Sequence, residues 1–425
     1  MTRIAILLVA LSSLLVTMQC KMNQKKASEL TVEVSNPAPI AVTDAAVKIP
    51  WTVISEKLPQ ANQQNMAVYL HGKEIASQWI TTGKNAPYLL TLVNINEEAS
   101  TTLLVKERGT DEIIPEFTKR TYAELSVKEG GHWEYITKKN GNQQYEYQGG
   151  EFKNIESLKV PKEHTDHSFY IRYEGPGWES DKVGYRLYLD WRNAVDIFGK
   201  LTPEMVLHKA GLDGFESYHE PAEWGQDIFK VAETLGIGSI GYWNGEKAVR
   251  VETTDSVECT VTINGILKSE IETNYFGWQT GETKWNLKAK TSILAGSRLS
   301  KQYLETTDQT PLLCTGIIKH KGIDAFTNQD KTHSEWLYLA TYGYQSLAND
   351  SLGLAVIVNK KYLNEITQDP LNHILVLEPK DHAVKYYFLA AWEKEPNGIK
   401  NRAEFVAYLE NLMLTFNQPL QITFN

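Results

Sequence analysis

The sequence predicts an all-β protein, a pair of large stacked antiparallel sheets with a few short helices. Three observations carry that prediction: past residue 29 apolar and polar residues alternate with period two, Gly, Asn, Asp and Pro interrupt the alternation at short intervals, and few windows show helical spacing. A first group of strands falls at 30–34, 88–95 and 101–107, followed by a polar, glycine-containing stretch at 138–150 that reads as a linker or long loop. A denser series comes next at 169–173, 183–191, 257–263, 267–275, 285–293, 312–318, 336–342, 354–358, 374–377, 384–391 and 420–424. Two helices are predicted. Residues 222–235 place Ile228, Val231, Ala232 and Leu235 at helical spacing and stop at Gly236, while Asn401 with Glu404 forms a capping box for a helix running to 413.

The chain opens with Met1-Thr2-Arg3 and an apolar run over 4–18, the length of a signal core and short for a membrane span. Cys20 follows, placed like the thiol that is diacylated in a bacterial lipoprotein, although residues 17–19 lack the small residue that usually precedes it. The expected organisation is a leader over 1–20, a tether over 21–29, an N-terminal β region over 30–150 and the main β-sandwich over 151–425. Export to the periplasm or cell surface is expected, with membrane contact only through a lipid on Cys20. Cys259 and Cys314 lack CxxC or Cys/His spacing, and Cys259 alternates with Val257, Val261 and Ile263, so both read as buried thiols.

With 425 residues, 42% hydrophobic, the chain has ample material for a core and lies far from disordered composition. Lys plus Arg number 43 against 52 acids, a net charge of −9, which leaves no basic footprint for nucleic acid or an anionic membrane. Eleven Trp and 21 Tyr exceed what a core alone needs, and aromatic faces stack well on sugar rings.

Residues 170–192 read as a hairpin around a loop at 175–181. Alternation puts Tyr170, Arg172 and Glu174 on one face of the first strand and Arg186, Tyr188, Asp190 and Arg192 on one face of the second. Such a face is either a solvated one with cross-strand ion pairs or a cleft for a planar anion, because guanidinium forks pair bidentately with carboxylate or sulfate. His219 lies in the loop before residue 222, where a near-neutral imidazole suits general acid or base work and where a packing histidine is the competing reading. Trp224, Asp227 and Lys230 face the same opening or solvent. Glu163, His164, Asp166 and His167 cluster without an HExxH pattern, so an exposed loop is expected there and no metal. The chain has no Walker loop, no GxGxxG after a strand and no GxSxG, which argues against nucleotide and serine-hydrolase chemistry; no cofactor is expected.

The runs Ile171-Arg172-Tyr173-Glu174-Gly175-Pro176-Gly177-Trp178-Glu179-Ser180-Asp181, Asp190-Trp191-Arg192-Asn193-Ala194-Val195-Asp196-Ile197-Phe198-Gly199-Lys200, Gly211-Leu212-Asp213-Gly214-Phe215, Tyr218-His219 and Thr234-Leu235-Gly236-Ile237-Gly238-Ser239-Ile240-Gly241 resemble a bacterial family of polysaccharide-utilisation loci. That family was long labelled a domain of unknown function and includes the ulvan oligosaccharide dehydratases. Asn274-Tyr275, Ala295-Gly296-Ser297-Arg298-Leu299 and Ala390-Ala391-Trp392-Glu393 continue the match. The resemblance implies a galactose-mutarotase-like β-sandwich and removal of water across C4 and C5 of a non-reducing-end glucuronic acid, giving a 4,5-unsaturated uronate.

That chemistry needs a group that neutralises the sugar carboxylate, a base for the C5 proton and an acid for the leaving 4-hydroxyl. On chemical grounds His219 takes the base role and Tyr218 or Tyr188 the donor role. Arg172, Arg186 and Arg192 bind carboxylate or sulfate, Glu179 and Asp190 orient them, and Trp178 or Trp278 stacks on the sugar. The expected partner is an acidic oligosaccharide, with or without sulfate. Two alternatives stay open: a polysaccharide lyase on uronate glycans, which shortens the chain, and a surface lipoprotein that holds an acidic glycan without turning it over.

Overall fold

The computed structural model describes residues 28–425 other than 82, 84, 85, 110, 111, 216, 308 and 309; Cys20 and most of the tether lie outside the described residues. The protein is all-β, organised as several antiparallel sheets packed face to face. Near the N-terminus, Glu29–Ser35 lies between Ser100–Glu107 and the last strand, Gln421–Phe424, so the two ends of the described chain share a sheet. That sheet and a smaller one built from Val42–Pro50, Tyr88–Ile95 and Ser77–Ile80 enclose Leu30, Val32, Val47, Ile49, Leu89 and Val105. Alternation is the cause: Leu30, Val32 and Val34 point inward while their neighbours face out.

The centre of the molecule is a nine-stranded antiparallel sheet running from Ser157–Lys159 to Phe326–Thr327. One face is covered by two five-stranded sheets, which together with it bury Trp178, Tyr185, Leu287, Leu304, Leu375 and Phe388. The other face carries the helix Arg402–Asn417, whose Phe405, Leu409 and Met413 pack on Ala355, Ile357 and Leu389. The strand Ser351–Asn359 serves both layers, with Leu354, Val356 and Val358 turned to the first core and Ala355 and Ile357 to the second. The helix begins as its capping box requires: Asn401 accepts from the Glu404 amide at 2.9 Å. Cys259 and Cys314 are free, buried thiols.

Three local expectations are corrected. Residues 138–150 form most of a hairpin, His132–Thr137 against Gln143–Gln148, rather than a linker. Residues 222–235 are not a helix. Gly225–Asp227 is a short strand on Phe198–Lys200, and Gly225 through Phe229 are buried without a solvent face, which a one-sided helix does not allow. Gly225 sits at φ 130°, and a Cβ there would fall 1.8 Å from the Gly199 carbonyl oxygen, so only glycine lets the strands approach.

The third correction concerns the hairpin. Its first strand is Gly177–Ser180, the stretch read as a loop, paired with Val183–Leu187 so that Trp178 opposes Tyr185 and Gly177 opposes Arg186. Residues 167–174 instead reverse direction through left-handed conformations at His167, Phe169, Tyr173 and Glu174. Arg172 and Glu174 therefore do not share a strand face.

Candidate active site

The five-stranded sheet of Thr121–Glu124, Gly177–Ser180, Val183–Leu187, Val195–Lys200 and Gly225–Asp227 buries Trp178, Tyr185 and Ile197 inward. Its other face carries Glu124, Arg186, Asp196 and Asp227, all buried beneath the turns of 164–175 and 205–222. Arg186 is the hub. Its Nη2 donates to Asp196 Oδ2, Asp227 Oδ2 and the Tyr188 hydroxyl, each at 2.7 Å, and its Nη1 donates to the Tyr218 hydroxyl at 3.0 Å. The Tyr188 hydroxyl in turn donates to Asp196 Oδ2 at 2.6 Å.

Arg192 lies over the Tyr188 ring, its guanidinium carbon 3.8 Å from the ring centre. It contacts Asp190, Glu174 Oε1 at 2.8 Å and Asp166 Oδ1 at 2.9 Å. Arg172 pairs with Glu124, which also accepts from the Tyr173 hydroxyl at 2.5 Å. The three arginines thus neutralise protein carboxylates and are buried, whereas the sequence assigned them to a ligand's carboxylate or sulfate.

His219 closes this assembly from the turn Ser217–His219. Its Nδ1 is 2.9 Å from the Phe215 carbonyl oxygen, which can only accept, so the ring proton sits on Nδ1 and Nε2 carries the lone pair. Nε2 stands 3.4 Å from Asp227 Oδ2. Burial, and then the Arg186 guanidinium, hold the imidazole below its ordinary pKa and keep it neutral. Burial, reinforced by neighbouring Asp196, pushes the Asp227 carboxyl well above the carboxylate range. Tyr218 is raised by burial and keeps its proton.

A cavity of about 410 Å³ opens beside these groups, lined by His167, Phe169, Tyr173, Glu174, Phe215, Tyr218 and the turn of Gly211–Gly214. Gly211, at φ 66°, lets that turn pass the Tyr218 ring, where a Cβ would sit 3.2 Å away. Phe215 packs on both Tyr218 and His219, so the floor of the cavity and the imidazole form one aromatic cluster.

The fold thus joins Tyr188, Tyr218, His219, Arg186, Arg192 and Asp190 in one network with Arg172 at its edge. Three predicted residues fall outside it. Glu179 is wholly buried against Lys200 Nζ at 2.6 Å and accepts from the Val206 and Leu207 amides, a structural ion pair below the turns. Trp178 and Trp278 lie in the core, the first donating to Ser300 Oγ and the second packed on Trp285, so neither offers a face to a sugar. Their apolar surface is spent between sheets. The aromatic surface at the cavity comes from Phe169 and Phe215 instead.

Sequence reasoning missed Glu124, Asp196 and the roles of Asp166, His167 and Tyr173. A signal existed for two of them: each is a lone acid inside an apolar strand, Tyr122-Ala123-Glu124-Leu125 and Val195-Asp196-Ile197-Phe198, and a buried acid requires a cation.

A structure of a protein in glycosyl hydrolase family 38 from Enterococcus faecalis is similar at 10% identity, with a TM-score of 0.45 over 94% of this chain and 47% of that one. An α-mannosidase from Enterococcus faecalis V583 is similar at 9% identity, with a TM-score of 0.43 over 94% of this chain and 46% of that one. The chain spans about half the length of these structures. No curated protein matches it. The family model described as Domain of unknown function (DUF4861) matches residues 34–422, nearly all of the described chain, and the protein belongs to that family.

Proposed function

We propose that this protein is a carbohydrate-active hydro-lyase that removes water from a non-reducing-end glucuronic acid of an ulvan-type oligosaccharide, acting outside the cytoplasm. The observation that carries the reading is the ring contact of a neutral imidazole, His219, with a protonated phenol, Tyr218, which lines a cavity of about 410 Å³. The stretches that resemble the ulvan dehydratases lie in this same region.

In this reading His219 Nε2 takes the C5 proton, and the C5–H electrons move into the carboxylate as an enolate-like intermediate. That intermediate collapses to the C4=C5 double bond and expels the 4-hydroxyl, which leaves as water with the Tyr218 proton. Arg186, 3.0 Å from the Tyr218 oxygen, stabilises the phenolate left behind, and Asp227 stands beside the imidazolium. The cycle closes when the proton passes from His219 back to Tyr218. Tyr218 rather than Tyr188 is the donor because it lines the cavity, while the Tyr188 hydroxyl is engaged by both Arg186 and Asp196.

The test is incubation with short ulvan-type oligosaccharides ending in saturated glucuronic acid, followed by mass spectrometry and ultraviolet absorbance. A product lighter by one water, absorbing in the ultraviolet and retaining every sugar, is expected. An absorbing product of shorter chain length identifies a polysaccharide lyase instead, and an intact ligand that binds saturably identifies a glycan-binding protein.

A further inference from the structure

The cavity has a second group of residues that the acid–base chemistry does not use. Asp166, His167 and Glu174 each direct a ligand atom to one place, these atoms lying within 4.8 Å of one another. His167 and Glu174 line the cavity itself.

Glu174 is 3% exposed, and its two oxygens differ. Oε1 meets Arg192 Nη2 at 2.8 Å and the His167 amide at 2.9 Å, whereas the buried Oε2 has no hydrogen-bond partner. Asp166 Oδ1 stands 2.6 Å from His167 Nδ1, so the acid and the imidazole already converge beside Glu174. Around the site itself, Arg192 is shared among Asp166, Glu174 and Asp190, one guanidinium against three carboxyls.

We propose that Asp166, His167 and Glu174 form a divalent-cation site in the cavity wall, taking Mn²⁺ or Zn²⁺. One imidazole with two carboxylates is a mixed nitrogen and oxygen set, suited to these ions more than to Ca²⁺ or Mg²⁺, which prefer oxygen alone. Three protein ligands leave positions open toward the cavity. The role of the ion rests on the functional reading above: with the arginines already paired, the cation receives the uronate carboxylate and withdraws charge as the C5 proton leaves.

Binding is tested independently of turnover. The protein is stripped with a chelator and titrated calorimetrically with MnCl₂ and with ZnCl₂, and its metal content is measured after dialysis. One saturable site per chain is expected. His167→Gln and Glu174→Gln, checked by circular dichroism for native folding, lower its affinity by about tenfold or more, while Glu163→Gln on the exposed neighbouring turn leaves it unchanged. A protein that takes up neither ion, or variants that bind as tightly as the parent, overturn the site and leave Asp166 paired with His167 and Arg192 alone. Saturable binding lost in the variants, but with no dehydration of any uronate substrate, retains the site and removes the hydro-lyase reading. Full dehydration by metal-free protein removes the cation's catalytic role.

Discussion

His219 Nε2 lies 3.4 Å from Asp227 Oδ2, although seven residues of turn and strand separate the two in sequence. The contact exists because residues 225–227 run as a strand against Phe198–Lys200 rather than as a helix, which delivers Asp227 to the buried face that Arg186 occupies. A base nitrogen, a carboxyl and a guanidinium are thereby stacked under one turn, and the chemistry proposed for the cavity depends on that stacking.

The imidazole acts as a base only when neutral, so kcat/KM falls as pH drops through its folded pKa. Burial and Arg186 hold that pKa below the ordinary value of about 6.5, and the acid limb of the profile is expected below that value. His219→Gln is expected to lose about a hundredfold or more in kcat and to abolish this limb. A limb at or above the ordinary value, or one that survives in the variant, removes His219 as the base.

Tyr218 and Tyr188 separate by paired substitution to phenylalanine, which keeps each ring. Tyr218→Phe is expected to lose about a hundredfold or more in kcat, because the hydroxyl beside the cavity supplies the proton. Tyr188→Phe removes a hydroxyl bonded to both Arg186 and Asp196, so its effect is expected in stability, about 1.5–3 kcal/mol by urea unfolding, with kcat per folded molecule nearly retained. The reverse pattern assigns the donor to Tyr188.

Arg186→Ala leaves Asp196 and Asp227 buried without their cation. The expected cost is about 3–5 kcal/mol, read as a lower denaturation midpoint. A variant as stable as the parent at neutral pH contradicts the hub role.

Glu179→Gln strips Lys200, also wholly buried, of its counter-ion and destabilises by about 3–5 kcal/mol. Because the pair lies away from the cavity lining, KM is expected to hold and kcat per folded molecule to change little; a selective kcat loss without destabilisation returns Glu179 to the catalytic group.

What the sequence determined by itself is local. Period-two alternation specifies strands wherever one face is buried, and so Leu30, Val32 and Val34, or Leu354, Val356 and Val358, fall inward as read. It likewise put Arg186 opposite Tyr185 across its strand, and the Asn401–Glu404 pair fixed the start of the last helix through neighbouring backbone amides. Tertiary structure decided the rest. The reversal at residues 167–174 depends on Gly175, where a Cβ would lie 1.7 Å from the Leu187 carbonyl oxygen, a contact alternation cannot register. Residues 225–227 form a strand where 225–229 are enclosed on every side, and Trp178 and Trp278 are interior because two sheets close over them. Which carboxylate neutralises which arginine is settled last. Glu124 meets Arg172 of the turn and Asp227 meets Arg186 of another strand, each pair distant in sequence, and pairing of buried charges follows the desolvation cost of leaving either one alone.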